Sequence, residues 1–259
     1  MVLPVHDDNP TRRTPVVTLL LIAVNVVVFF SSPVATYVVG DPSPQQQCQA
    51  IAFYDQWAAK PVELLDNEQV PSGATGEVGA QGERVGCVVE SPPPFEKSPF
   101  VSVLTAMFLH GGLLHLAGNM LFLWVFGNNV EDRLGRFRFL GFYLLAGYVA
   151  TYGFAAFESG SDQPLVGASG AVAGVLGAYL ALFPRARVLS LLTFLFFLPV
   201  RLPAWVVLGS WFLLQYVYFR GGGVAEADVA YGAHVIGFVA GLVLLWVLPP
   251  RRRAQPPRF

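Results

Sequence analysis

Two side chains with complementary chemistry lie near the beginning of two apolar stretches of this chain. Ser169 lies in the run GASG over 167–170, and His234 lies in the run AHVIG over 233–237. A polar side chain inside a membrane-spanning helix is costly and is therefore a functional candidate. A hydroxyl and an imidazole are the nucleophile and the general base of hydrolytic chemistry. The pair therefore predicts hydrolysis within a lipid bilayer.

Three more polar residues, His110, His115 and Asn119, lie at the beginning of another apolar stretch, in the run HGGLLHLAGN over 110–119. His115 and Asn119 are four residues apart and share one helix face, so both can direct hydrogen-bond donors at one point. His110 lies five residues before His115, about 140° around the helix. Because two glycines follow His110, a bend is favoured there. We expect His110 to brace the entry into this helix.

Each of these polar residues also has a structural interpretation. A lone amide in a membrane helix often forms a hydrogen bond to a neighbouring helix. That alternative is open for Asn25 and Gln215, and it is less attractive for Asn119 because His115 lies beside it.

Small residues accompany both Ser169 and His234, and they favour close helix packing. These residues are Gly167, Gly170, Gly174 and Gly177 in one stretch and Gly237 and Gly241 in the other. The packing and catalytic interpretations are compatible, because a close pairing of the two helices would bring His234 within reach of Ser169. Ser169 near a helix N-terminus would also have unsatisfied backbone N–H groups beside it.

The composition indicates a membrane protein. The chain is 54% hydrophobic and 13% charged, with a mean hydropathy of +0.54, whereas a soluble domain carries about 25% charged residues. The net charge is -1 and the pI about 6.4, so no basic field suggests a nucleic-acid partner. We expect the lipid bilayer and membrane proteins to be the partners of this chain.

Six stretches have roughly the 17–25 residues that a bilayer crossing needs. They are 16–32, 113–129, 137–157, 165–183, 203–219 and 230–248. A seventh apolar run, 188–200, is cut short by Pro199 and Arg201, and we interpret it as an interfacial or re-entrant piece. The sequence thus predicts an all-α membrane protein with six transmembrane helices.

Arginines orient this bundle according to the positive-inside rule. They lie before the first stretch and after the second, fourth and sixth, ending with Arg251, Arg252 and Arg253. Both termini are therefore predicted to be cytoplasmic in a multi-pass plasma membrane protein, with the polar groups near the extracytoplasmic face. The predicted parts are a cytoplasmic N-terminus (1–15), a first transmembrane helix (16–32), a large extracytoplasmic loop (33–99), a five-helix membrane core (100–248) and a cytoplasmic basic tail (249–259).

The loop over 33–99 holds both cysteines of the chain, Cys48 and Cys87. Outside the cytoplasm they could form a disulfide, and two free thiols are the alternative. Metal binding by this pair is not expected, because no CxxC spacing or nearby histidine completes a ligand set.

Other intramembrane chemistries find no support in the sequence. A zinc protease would need a His-Glu-x2-His motif, which the chain lacks. An aspartyl protease would need two aspartates within the spans, and a proton-coupled transporter usually carries an intramembrane acid. The six stretches contain no acidic residue. We therefore expect no metal and no cofactor.

The order of these motifs resembles the rhomboid family of intramembrane serine proteases, from about Phe100 to Leu248. The segment GNNVEDRLG over 127–135 is also similar to the family. The resemblance implies a rhomboid-like six-helix bundle that cleaves transmembrane protein substrates. By the same likeness Ser169 is the nucleophile and His234 the general base. The backbone N–H of Ser169, His115 and Asn119 would form the oxyanion hole, and Glu131 and Arg133 would be structural.

Two features depart from the family pattern. Some members carry an aromatic residue four positions after the serine that stacks on the histidine, whereas this chain has Ala173 there. The loop after the first span is also longer than a minimal one. The alternative function is that of a catalytically inactive rhomboid-like protein that binds transmembrane clients, and the presence of both Ser169 and His234 argues against it.

Overall fold

The apolar stretches of the sequence form helices whose buried sides meet in a common core. The computed structural model describes residues 2–38, 40–81, 84–221 and 229–249. Within these ranges the α-helices are α1 (Val16–Ser31), α2 (Pro44–Trp57), α3 (Pro61–Leu64), α4 (Pro99–Ala106), α5 (Leu113–Phe122), α6 (Asn128–Leu134), α7 (Arg136–Phe157), α8 (Ser169–Leu182), α9 (Ala204–Arg220) and α10 (Tyr231–Val247). A π-helical turn over Leu123–Gly127 joins α5 to α6.

Each of the six predicted stretches contains α-helix, and the stretch 113–129 runs through α5, the π-helical turn and the start of α6. The bounds of α1, α7, α9 and α10 agree with the predicted stretches to within one residue at each end. Among the described residues, α7 alone is both long enough and apolar enough to pass a simple test for a membrane span, and α1, α8 and α10 are shorter apolar helices. Helix α8 lies in the buried core of the bundle, where the largest fully buried side chains include Tyr143 and Tyr179.

The prediction of an all-α fold is wrong, because the described residues also contain two small antiparallel sheets. The first sheet has the order β1 (Val2–Asp7), β4 (Arg187–Leu192), β5 (Leu198–Pro203). Residues 188–200, expected as an interfacial or re-entrant piece, therefore form a β-hairpin, and the expected N-terminal tail adds a strand to it. Paired strands satisfy each other's backbone N–H and C=O groups, which a short apolar run could not do alone.

Residues 33–99 form a folded unit rather than an open loop. Helix α2 packs against a hairpin of β2 (Gly73–Gln81) and β3 (Arg84–Glu90). Cys48 on α2 and Cys87 on β3 form a disulfide across this contact. Of the two alternatives left open by the sequence, the structure therefore has the disulfide.

A buried ion-pair network holds the same unit together. Lys97 Nζ lies 2.6 Å from Glu63 Oε2, with side chains 1% and 0% exposed, and it donates to the carbonyl of Asp55 at 3.0 Å. Burial lowers the pKa of Lys97, while the pairing with Glu63 opposes that shift. Removing either partner would leave a buried charge without compensation.

This unit lies against one end of the helical core. The Leu165 N–H donates to the carbonyl of Ala59 at 2.7 Å, and the Thr105 hydroxyl donates to the carbonyl of Trp57 at 2.6 Å. The Tyr54 hydroxyl donates to the carbonyl of His110 at 3.2 Å. The unit thus contacts the segments that lead into α5 and α8.

The first sheet and the start of α1 lie at the end of the helical core opposite to the 33–99 unit. Glu131 accepts hydrogen bonds from the backbone N–H groups of Val17 (3.1 Å) and Thr18 (2.8 Å), so its carboxylate caps α1. Asn129 donates to Asp7 of β1 at 2.7 Å, and burial raises the pKa of Asp7.

Arg138 near the start of α7 donates to the carbonyl of Pro249 at 3.3 Å, which brings the end of α10 to the same end of the bundle. The charges Glu226, Asp228, Arg251, Arg252 and Arg253, used to orient the chain, lie outside the described residues.

Candidate functional site

A cavity of about 1230 Å³ opens at the end of the bundle where α8 begins. Residues from α5, α8, α9 and α10 line it. Among them are the predicted site residues His115, Asn119, Ser169 and His234, together with Trp211 and Gln215. The structure therefore brings together, in one cavity, side chains that are far apart in the sequence.

Ser169 is the first residue of α8. The prediction that the helix starts at 165 is wrong, because Leu165 pairs with Ala59 as a β-bridge and the chain turns at Gly167, which has a φ of +117°. A residue with a side chain rarely adopts such a φ, whereas glycine does so readily. Ser169 consequently lies beside the unpaired N–H groups of a helix N-terminus, where negative charge is stabilised.

Gly167 also brings the backbone before Ser169 close to α5. A methyl group built at Gly167 would lie 2.8 Å from Nε2 of His115 and 3.7 Å from Nδ2 of Asn119. These two nitrogens therefore lie next to the turn that precedes Ser169. Asn119 is 8% exposed, and its amide donates to the carbonyl of His115 at 3.1 Å.

Helices α8 and α10 meet backbone to backbone along a seam of glycines. A side-chain carbon at Gly237 would overlap the carbonyl oxygen of Gly170, and one at Gly241 would overlap that of Gly174. Helix α7 packs against α8 at the same place, because a side-chain carbon at Gly170 would lie 2.8 Å from Cβ of Ala150 on α7. This seam fixes the position of His234, near the start of α10, relative to Ser169, at the start of α8.

His234 has a hydrogen-bond partner on the neighbouring helix α9. Its Nδ1 lies 2.8 Å from Oε1 of Gln215. The ring of Trp211, also on α9, has its centroid 6.0 Å from that of His234 at an interplanar angle of 32°. Tyr231 approaches the imidazole edge-on, with a centroid distance of 6.2 Å.

These contacts to His234 were not anticipated from the sequence. The interhelical hydrogen bond left open for Gln215 is present, with His234 as the partner that the sequence did not predict. A signal was present, because Trp211 and Gln215 are four residues apart and so share a helix face. Ala173, where some rhomboids have an aromatic residue, is fully buried in the core.

The remaining predicted residues lie around this site or away from it. His110 is 2% exposed, and its ring packs edge-on against that of His115, with 5.1 Å between the ring centroids. It precedes α5 and is followed by a bend at Gly111 and Gly112. Glu131 and Arg133 lie at the far end, where Arg133 covers the ring of Phe183 at 5.5 Å.

Residues 97–251, more than half of the chain, match the Rhomboid domain family. The chain belongs to the rhomboid family. The resemblance seen in the sequence is therefore confirmed, and the chain is a helical membrane protein of a family that includes intramembrane serine proteases.

Several curated rhomboid proteins are similar to this rhomboid chain. Rhomboid protein 1, mitochondrial, of Saccharomyces cerevisiae is 32% identical over 154 residues, covering 57% of this chain and 42% of the yeast protein. Presenilin-associated rhomboid-like protein A, mitochondrial, of Danio rerio is 29% identical over 155 residues, covering 59% and 33%. Rhomboid protease GluP of Bacillus subtilis is 33% identical over 139 residues, covering 54% and 24%. The chain thus spans less than half the length of these relatives.

Proposed function

We propose that this chain is an intramembrane serine endopeptidase, with Ser169 as the nucleophile and His234 as the general base. The observation that carries the proposal is that both side chains line one cavity, on two helices whose backbones touch along the glycine seam. Membership of the rhomboid family supports the same assignment.

The dyad accounts for both halves of the reaction. Neutral His234 accepts the Ser169 proton as the serine oxygen attacks the carbonyl carbon of a peptide bond. The imidazolium then gives that proton to the departing amine, and an acyl-enzyme ester remains. Water attacks this ester with His234 again acting as base, which releases the carboxylate product and restores Ser169.

The negative charge that develops on the substrate oxygen would be met by three donors. They are the backbone N–H of Ser169 and the side chains of His115 and Asn119, whose nitrogens lie beside the turn at Gly167. A preorganised donor of this kind often contributes about 3–4 kcal/mol to transition-state stabilisation. The helix N-terminus at Ser169 adds a favourable partial charge.

The substrates in this proposal are transmembrane proteins, cut in or near their membrane segment. We place six crossings in the bilayer, with the β1 sheet and both chain ends on the cytoplasmic side of the plasma membrane. The Cys48–Cys87 disulfide supports an oxidising location for residues 33–99. The capping of α1 by Glu131 and the contact of Arg138 with Pro249 support a common side for both ends.

Labelling with a fluorophosphonate probe in detergent tests the proposal. We expect the wild type to be labelled, and Ser169→Ala and His234→Ala to be neither labelled nor able to cleave a single-span membrane protein. His6→Ala is the matched control, because His6 is an exposed histidine on β1 and should leave labelling unchanged. Turnover by purified Ser169→Ala would overturn the assignment, and an unlabelled wild type would indicate a catalytically inactive, client-binding rhomboid-like protein.

A further inference from the structure

Among the residues that the structure describes, no carboxylate bonds to His234 of the proposed dyad, and position 173 holds an alanine rather than an aromatic residue. We propose that Gln215 is the positioning residue of His234, which selects the tautomer and orientation that general-base chemistry needs. This inference rests on the proposed function of the Ser169 and His234 pair.

The first step of the argument is burial. Gln215 is 7% exposed and lies on α9, beside the cavity that Ser169 and His234 also line. An amide in such surroundings is costly without a hydrogen-bond partner. The partner in the structure is Nδ1 of His234, 2.8 Å from Oε1 of Gln215. The energetic reason for keeping a glutamine here is therefore tied to the imidazole itself.

The second step is the tautomer. A neutral imidazole carries one N–H donor and one unprotonated nitrogen, and the partner of the first decides which nitrogen is left as the acceptor. Because the carbonyl oxygen of Gln215 accepts from Nδ1–H, Nε2 is left unprotonated. Nε2 is then the nitrogen that receives the Ser169 proton. A carboxylate usually has this role in soluble serine proteases, and here a neutral amide oxygen would have it.

The third step is orientation of the ring. Trp211 lies one helical turn before Gln215. Its indole packs against the imidazole of His234, with 6.0 Å between the ring centroids. Both contacts therefore come from the same face of α9. In this proposal they take the place of the aromatic residue that some rhomboids have on α8, where this chain has the fully buried Ala173.

A structural role for Gln215, as a mere link between α9 and α10, makes different predictions. Loss of a structural link would lower stability and would affect the protein whatever the substrate. Loss of a positioning residue would lower kcat with little change in KM, because binding of the substrate does not involve the imidazole tautomer.

Three variants separate these roles. Gln215→Met keeps the length and burial but removes the acceptor. We expect kcat to fall about 10–100-fold with KM unchanged, by analogy with residues that orient metal-binding histidines. Gln215→Glu restores an acceptor oxygen at the same reach and should recover most of the turnover. Ser210→Ala is the matched control, since Ser210 is also on α9 and its hydroxyl donates to the carbonyl of Val207 in its own helix.

Nitrogen-15 NMR of histidine-labelled protein supplies the second readout, with the His234 signals assigned by their loss in His234→Gln. We expect a protonated Nδ1 and an unprotonated Nε2 in the wild type, and averaged tautomers in Gln215→Met. Full kcat and an unchanged spectrum in Gln215→Met would overturn the inference. If instead Ser169→Ala is labelled by fluorophosphonate as well as the wild type, the proposed function fails, whatever Gln215 does.

Discussion

Asn119 is the residue whose role depends most on the distinction between packing and catalysis. Its amide nitrogen already donates to the carbonyl of His115 at 3.1 Å, one turn earlier in α5. The same nitrogen lies beside the turn at Gly167, where the substrate oxygen would arrive in the proposed mechanism. The amide has a second N–H to offer, so the local bond and an oxyanion contact are compatible.

We therefore expect Asn119→Ala to lower kcat by about 10²–10³ with little change in KM, because one oxyanion donor is lost. His110→Ala should instead lower stability by about 1–3 kcal/mol, since its buried ring packs against His115 and leaves a cavity when removed. Steady-state kinetics and thermal unfolding in detergent measure the two effects. If Asn119→Ala keeps full kcat but unfolds much earlier, Asn119 is a packing residue.

The sequence predicts which polar residues form the site better than it predicts the contacts of those residues. Ser169, His234, His115 and Asn119 are recognisable because each is polar within an apolar stretch, and the structure places them around one cavity. The partner of His234 was not predictable in the same way. Gln215 lies 19 residues before His234, and which face of α9 packs on α10 depends on tertiary packing that the sequence does not state.

At the scale of elements, the contact of α8 with α10 determines the geometry of the proposed dyad. Gly174 and Gly241 meet where a methyl group has no room, whereas Gly141 on α7 has open space around its Cα. These two kinds of helical glycine provide a matched comparison, because both would gain helix propensity on replacement by alanine.

We expect Gly241→Ala to lower the melting temperature and to slow fluorophosphonate labelling, because α10 must move away from α8 and carry His234 with it. Gly141→Ala should be neutral or stabilising by up to about 1 kcal/mol. Thermal melts and labelling rates of both variants in the same detergent test this expectation. An unchanged melt and labelling rate for Gly241→Ala would contradict the importance of the seam.

The elements themselves were predicted unevenly, for a physical reason. Long apolar stretches produced helices with nearly the expected bounds, because burial in a membrane or a core requires the backbone to satisfy its own hydrogen bonds. Strand β1 was missed because its hydrogen bonds join residues 2–7 to β4 at 187–192, and the hairpin of β4 and β5 was interpreted as an interfacial run. Hydropathy is a local average and carries no information on such distant pairing.

At the scale of the whole molecule, residues 33–99 add a folded unit to one end of the helical core. Its disulfide joins cysteines that are 39 positions apart in the sequence, which in a chain-entropy treatment corresponds to about 4 kcal/mol of stabilisation. The unit contacts the chain before α5 through Tyr54 and the chain before α8 through Ala59. Its stability is therefore coupled to the segments that lead into the site.

Maleimide labelling of unfolded protein checks the disulfide and the oxidising location together. We expect Cys48 and Cys87 to resist labelling until a reductant is added, because both thiols are consumed in one bond. Cys48→Ser is the control, since it should leave Cys87 reactive without reductant. Equal labelling of the wild type with and without reductant would show that the disulfide does not form in the cell.

The glycine seam also limits how this protein could diverge. In most cores a larger side chain on one helix is tolerated if its neighbour becomes smaller, so two changes can compensate each other. Where Gly241 faces the backbone of Gly174, nothing smaller than glycine exists to compensate. Lineages descended from this sequence can thus vary the outward-facing side chains of the helices, while this one line of contact is closed to evolutionary drift.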